Sequence, residues 1–261
     1  MFTITPLDKP IEKKGVLYYL HLFAYRLGNL LEVGFIIFFW WLIIAHVNIF
    51  SDFTWQEMVI YLIVGNIISL ITNILFRLSV EKEAQNSDAR LLLRQPKKYF
   101  SFIVKGGFMK FLISFIVLTA IYLFSLQFFK ENFTPNFNIV YLSVIVIMVL
   151  LAFVIEFLLT YLIRLSVFWT MESSEVYKIT MRLKKILSGY YFPLSLLPTM
   201  FVNISLTLPF AYSFFVPTQL YLRKISLSLG FKGLFVQSVW IIILYAAVKI
   251  LLAKRFQTQK K

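Results

Sequence analysis

Long apolar runs alternating with short charged segments organise this chain, and the apolar runs lack the strict two-residue alternation of a membrane β-barrel strand. Six stretches approach the roughly 20 residues that a helix needs to cross a hydrocarbon layer about 30 Å thick, at about 1.5 Å per residue. They cover residues 27–50, 58–76, 111–129, 139–163, 187–208 and 234–252. In lipid each backbone N–H and C=O needs a partner within its own segment, so the runs are expected to be helices. The expected fold class is an all-α integral membrane protein with six transmembrane helices. The first run lies too far from Met1, and is too long, for a cleaved signal peptide.

Residues 187–208 belong to an anomalous stretch. From Ile186 to Leu222 there are 37 residues without a formal charge. One helix of that length would measure about 55 Å, more than tilt absorbs. Pro193, Pro198, Pro209 and Pro217 interrupt it, each removing a backbone donor and favouring a kink or stop. The expectation is one span to about residue 208, followed by a re-entrant or interfacial element through Leu222, between helices five and six. Non-helical backbone at membrane depth must be surrounded by protein or water, which places this element at a subunit interface or a pathway mouth.

The charges orient the chain. Of 26 Lys and Arg, only Lys130, Arg223, Lys224 and Lys232 fall in the gaps after runs one, three and five; the other 22 lie in the alternate segments. The positive-inside rule puts those 22, and both termini, in the cytoplasm. The net charge of +14 is accounted for by this bias and by attraction to anionic membrane lipids, so no nucleic-acid partner is expected. Residues 1–26 mix Lys13, Lys14, His21 and Arg26 with apolar residues and suit a cytoplasmic helix lying in the inner interface. Residues 27–252 form the transmembrane domain, and 253–261 a basic cytoplasmic tail. The composition agrees: 60% apolar residues, 15% charged and a mean hydropathy of +0.81 exclude a soluble globular domain.

Material for catalysis is scarce. There is no cysteine, only His21 and His46, and no GxxxxGK[ST] loop, so thiolate chemistry, a two-His metal site and phosphate binding by a P-loop are not expected. No catalytic residue, metal or bound cofactor is assigned. Two carboxylates enter the spans, Glu32 near the cytoplasmic end of the first and Glu156 deeper in the fourth. Intramembrane charges are functional candidates because they are costly to insert. Arg164 follows Glu156 by two helical turns on the same face. Glu156 reads either as half of an ion pair across helices or as a residue handling substrate or protons. In the second span Asn66, Ser69 and Asn73 share a face, with Gly65 and Ser69 in small-xxx-small spacing, a pattern suited to helix packing or to lining a polar path. Between spans two and three, Arg90, Leu91, Leu92, Leu93 and Arg94 precede Pro96. A short helix of this kind, apolar on one face and charged at its flanks, could plug into a groove on a cytoplasmic partner.

From Phe168 the chain reads FWTMESSEVYKITMRLKKILSGYYFPLSLLPTMFVNISLTLPFAYSFFVPTQLYL. Phe168-Trp169, Ser188-Gly189 with Pro193, Leu194 and Pro198, then Leu208-Pro209-Phe210 and Pro217, resemble the C-terminal half of ABC-2-type ABC transporter permeases of the short six-span bacterial group. The segment 88–96 is similar to that family's coupling segment, with Asp88 where a glycine is common and Gln95 between Arg94 and Pro96. The resemblance implies a multi-pass subunit of a bacterial plasma membrane, part of an ATP-driven exporter. It implies a partner permease, identical or a second six-span chain, and cytoplasmic ATPases that bind ATP-Mg and pull on Arg90 to Pro96. In that picture Gly189, Pro193, Pro198, Pro209, Phe210 and Pro217 belong to an outer re-entrant gate. The alternative from a different class is an ion-coupled secondary transporter using Glu156.

Overall fold

The computed structural model describes residues 31–44, 49–50, 53–77, 112, 115–127, 138–165 and 173–258. The N-terminal interface helix expected over 1–26, and the segment Arg90 to Pro96, lie outside these residues. The first helix, α1, covers Leu31–Ile44. The sequence pattern carries span one to residue 50, but Ile49–Phe50 instead forms strand β1, antiparallel to β2 at Phe53–Thr54. The reason is the helix start directly after β2. The Thr54 backbone N–H and hydroxyl both donate to the Glu57 carboxylate, at 2.9 and 3.2 Å, and the Glu57 N–H donates to the Thr54 hydroxyl at 3.3 Å. This reciprocal box satisfies donors that a helix start leaves open, so α2, Trp55–Arg77, begins at a fixed point immediately after the hairpin.

Helix α3 is Phe115–Gln127 and α4 is Ile139–Leu165. An amphipathic helix, α5, covers Ser173–Leu187. After a break come α6, Thr199–Thr207, and α7, Phe215–Tyr221, preceded respectively by short 3-10 turns at Leu194–Leu196 and Ala211–Ser213. The last helix, α8, spans Leu227–Thr258. Three apolar stretches within these helices are long enough to cross a membrane: Trp55–Thr72, Ile139–Ile163 and Leu227–Ala253. The chain is therefore a mostly helical membrane protein.

Residues 187–208 do not make a continuous span, which corrects the sequence expectation. Gly189 adopts φ +80, a left-handed conformation that ends α5. Pro193 and Pro198 then stand at the N-caps of the Leu194–Leu196 turn and of α6. With nine residues, α6 is about 14 Å long, half a bilayer core.

α4 and α8 run parallel. Gly230 sits against Val144 and Gly233 against Met148, the Gln237 amide donates to the Met148 carbonyl at 3.0 Å, and further along Ile155, Leu158 and Leu165 cluster with Leu244 and Val248. α2 shares this direction. Its first turn meets the residues just before α8 through a Glu57–Lys224 ion pair at 3.0 Å, and Gly65, deeper in α2, faces Phe214. Between consecutive parallel helices the chain must return through the thickness of the bundle. The first return contains α3 and the second α5, α6 and α7.

The second return carries its own core. Every residue from Ala211 to Tyr221 is buried, enclosed by α2, α4 and α8. Two glycines make room for it: a Cβ on Gly65 would collide with the Phe214 ring, and one on Gly233 would lie 2.6 Å from the Tyr212 ring. Gly65→Ala and Gly233→Ala are each expected to destabilise the folded chain by about 1 to 3 kcal/mol through overpacking. The check is a lower thermal unfolding midpoint in detergent for both, with Gly34→Ala as control, since nothing lies within 4 Å of a Cβ built at Gly34.

Candidate functional site

The polar groups that the structure brings together lie at two levels of one assembly, centred on the segment from α5 to α7. At the lower level, adjacent lysines near the end of α5 reach two different helices. Lys184 pairs with Glu156 of α4, and Lys185 with Glu32 of α1. Successive helix positions point about 100° apart, which is why neighbours can clamp α5 to two partners at once. The two pairs differ in environment. Side chains of Lys184 and Glu156 are 6% and 2% exposed, those of Lys185 and Glu32 21% and 32%. Removing one partner of a pair as buried as the first costs about 3 to 5 kcal/mol, whereas partly exposed pairs contribute about 1 kcal/mol or less. Lys185 also lies 4.6 Å from the Tyr190 ring centre and 5.5 Å from that of Tyr191, so its ammonium is held by aromatic faces as well as by Glu32.

At the upper level, the broken backbone leaves carbonyls that no helix ladder satisfies, and aromatic donors fill them. Tyr61 donates to Gly189 O at 2.7 Å, Trp40 to Tyr191 O at 3.0 Å, Tyr212 to Leu206 O at 2.7 Å and Trp240 to Thr207 O at 2.9 Å. A backbone bond from Phe215 N–H to Ser188 O, 3.1 Å, ties the start of α7 to the end of α5. Phe214 packs edge-on against Tyr61 with ring centres 5.6 Å apart, and 5.4 Å from Tyr190. Pro217 is accommodated because it lies in the first turn of α7, where a backbone N–H has no intrahelical partner to lose. At the far end Arg223 closes the turn with φ 56, and Lys224 reaches Glu57 while lying 4.6 Å from the Phe53 ring centre.

The residues singled out from sequence fall as follows. Glu32 and Glu156 both belong to the lower level, but the partner of Glu156 is Lys184. In the sequence Lys184 and Lys185 read only as loop charges; the Arg164 side chain is outside the described residues. A signal for the true pairing is present all the same: two acids inside spans call for two bases, and Lys184 and Lys185 stand where the 37-residue uncharged run begins. Gly189, Pro193, Pro198, Pro209, Phe210 and Pro217 all lie in the broken segment. On α2, Gly65 meets Phe214, the Asn66 amide donates to its own helix at Leu62 O, 2.7 Å, and Ser69 O accepts from Thr72 at 3.2 Å; the Asn73 side chain is not among the described ones. Sequence reasoning misses Trp40, Tyr61 and Trp240, because an aromatic in a span reads as lipid contact, and it also misses Gln237. No group of three or more His, Asp or Glu side chains that could hold a metal occurs among the described residues.

Glu156→Gln should leave the buried Lys184 ammonium without its counter-charge and lower stability by about 3 to 5 kcal/mol. The reversed pair, Glu156→Lys with Lys184→Glu, should recover more than half of the loss. Thermal unfolding in detergent of the wild type, Glu156→Gln, the swap and its two single charge reversals measures both, and a swap no more stable than either charge reversal alone would contradict the pairing.

Neither the curated proteins nor the solved structures compared with this chain contain a match. The family comparison is informative: the model describing the ABC-2 family transporter protein matches residues 30–258, which takes in both levels of the assembly. The chain is a member of the ABC-2 transporter family, a membrane permease component of ABC transporters.

Proposed function

We propose that this chain is one of two transmembrane subunits of an ATP-driven exporter in a bacterial plasma membrane, with six spans and both termini in the cytoplasm. The partner subunit is a second copy or a related six-span chain. Cytoplasmic ATPases bind ATP-Mg and act on the segment Arg90 to Pro96, while the broken segment between α5 and α8 gates the outer side. This chain contributes half of the pathway and no catalytic residue. Membership of the ABC-2 family supports an ATP-driven mechanism over the ion-coupled reading of Glu156.

The observation that carries this reading is mechanical continuity. α5 starts beyond the end of α4, is clamped near its end by Lys184–Glu156 and Lys185–Glu32, and passes through the Ser188–Phe215 backbone bond into the buried α7. A displacement imposed at its lower end reaches the opposite side of the bundle with few joints in between. ATP drives such a change only by binding one arrangement of the subunits better than the other. Three parallel helices, α2, α4 and α8, with two return segments between them and α1 before them also suit six crossings and termini on the same side. The positive-inside count assigns that side to the cytoplasm.

Two experiments test the proposal. Purification of the tagged protein in mild detergent, followed by mass spectrometry, should identify an ABC ATPase in stoichiometric amount; reproducible isolation without one would refute the exporter-subunit reading. Leu92→Asp and Leu93→Asp should each weaken ATPase docking about 30-fold, the scale of an interface hot spot, while the chain still inserts. Wild-type transport-linked ATP hydrolysis in these variants would remove the coupling role of Arg90 to Pro96.

A further inference from the structure

Helix α6 carries a row of uncharged hydrogen-bonding side chains on its exposed surface, among them one amide, Asn203. Thr199, Asn203 and Thr207 recur every four residues, and all three are exposed. Beside them lies an apolar surface of Met200, Phe201 and Ile204, exposed by 70%, 53% and 43%. The depth of this helix is fixed by the bond from Trp240 to Thr207 O. Trp240 is near the middle of the apolar stretch Leu227–Ala253, so the Thr207 end of α6 lies close to mid-membrane.

An amide exposed to hydrocarbon at that depth, without a hydrogen-bond partner, costs on the order of 2 to 7 kcal/mol. Polar side chains inside spans face the bundle interior or a water-filled cavity, and interrupted backbone is tolerated at that level only in the same surroundings. Both constraints bear on α6: its ends are broken by Pro198 and Pro209, and the Asn203 amide is exposed among Met200, Phe201 and Ile204.

We propose that this face of α6 lines the transport path and binds an amphiphile with an uncharged, hydrogen-bonding head. The inference rests on the transport-subunit reading and adds the class of cargo. The Asn203 amide offers both donor and acceptor. The Thr207 hydroxyl donates to Asn203 O at 2.9 Å and so presents acceptor lone pairs to the path. Met200 and Ile204 take the apolar part of the cargo. With no formal charge on the row or on the apolar surface beside it, α6 itself offers no counter-ion to a charged head, which disfavours ammonium or sulfate amphiphiles by their desolvation.

The absence of cysteine from the chain makes the test direct. Single thiols are introduced as Asn203→Cys and Thr207→Cys, with Thr199→Cys in reserve should either lose its unfolding transition, and with Phe235→Cys on the exposed side of α8 as the lipid-facing reference. In native membrane vesicles, a membrane-impermeant charged thiol reagent should label the α6 positions at least about tenfold faster than the reference, because hydrocarbon raises a thiol's pKa and removes thiolate. Dodecyl glucoside below its micellar concentration should slow that labelling about fivefold, the equivalent of one net hydrogen bond, and dodecyltrimethylammonium should not. Labelling by lipid-soluble maleimide alone would show that the row faces hydrocarbon and overturn the proposal. Disulfide-linked dimers that resist both reagents would make the row a contact between copies and overturn it equally. Fast labelling that neither amphiphile slows, or that both slow alike, would overturn the assignment of cargo. None of these readouts requires an ATPase, so failure of the transport-subunit reading, seen as a missing ATPase companion, remains distinct from failure here.

Discussion

The structure depends on one requirement: backbone carbonyls freed inside a membrane must find donors. A chain that needs an irregular segment at that depth cannot leave it to water or lipid, where each unsatisfied group costs several kcal/mol. Here the donors are aromatic. Tyr61, Trp40, Tyr212 and Trp240 each present a large apolar body with one polar hydrogen, which lets the same side chain fill space and close a hydrogen bond. Three of the four come from elements outside the broken segment, so the segment is irregular only because α1, α2 and α8 surround it.

Shape and charge complete that enclosure in different ways. Lipid tails are as apolar as leucine, so burial alone gives helices in a membrane little reason to associate. Specific fit supplies the reason: the Phe214 ring in the notch at Gly65 and the Tyr212 ring at Gly233. The ion pairs act at one level only. Lys184 and Lys185 fix the rotation and height of α5 against α4 and α1, because a shift of one residue would aim both ammonium groups at the wrong neighbours.

Much of this architecture is legible in the sequence, and the part that is not has a common cause. Hydropathy locates α2, α4 and α8 because a long apolar run can do little else in lipid. Proline spacing announces that the stretch from Ile186 to Leu222 is broken. Where the break falls is not readable, since Gly189 ends α5 through a positive φ that depends on Tyr61 and Phe215 packing around it. Lys184 misleads for a similar reason: a lysine beside a loop reads as solvated, and only the approach of α4 buries it with Glu156. The hairpin at Ile49 to Thr54 is hidden because its four strand residues are themselves apolar or β-forming and continue the hydropathy of α1, although Thr54 and Glu57 spell a helix start at the right spacing.

The walls of the broken segment also set an order of events during synthesis. Its niche is completed by Gly233, Gln237 and Trp240, all of which lie downstream of it in the chain. When residues 188–221 leave the ribosome, their place in the bundle does not yet exist. They must wait at the translocon or the membrane surface until α8 has been made, and only then can they enter. A helix translated after the broken segment is therefore what gives that segment its shape.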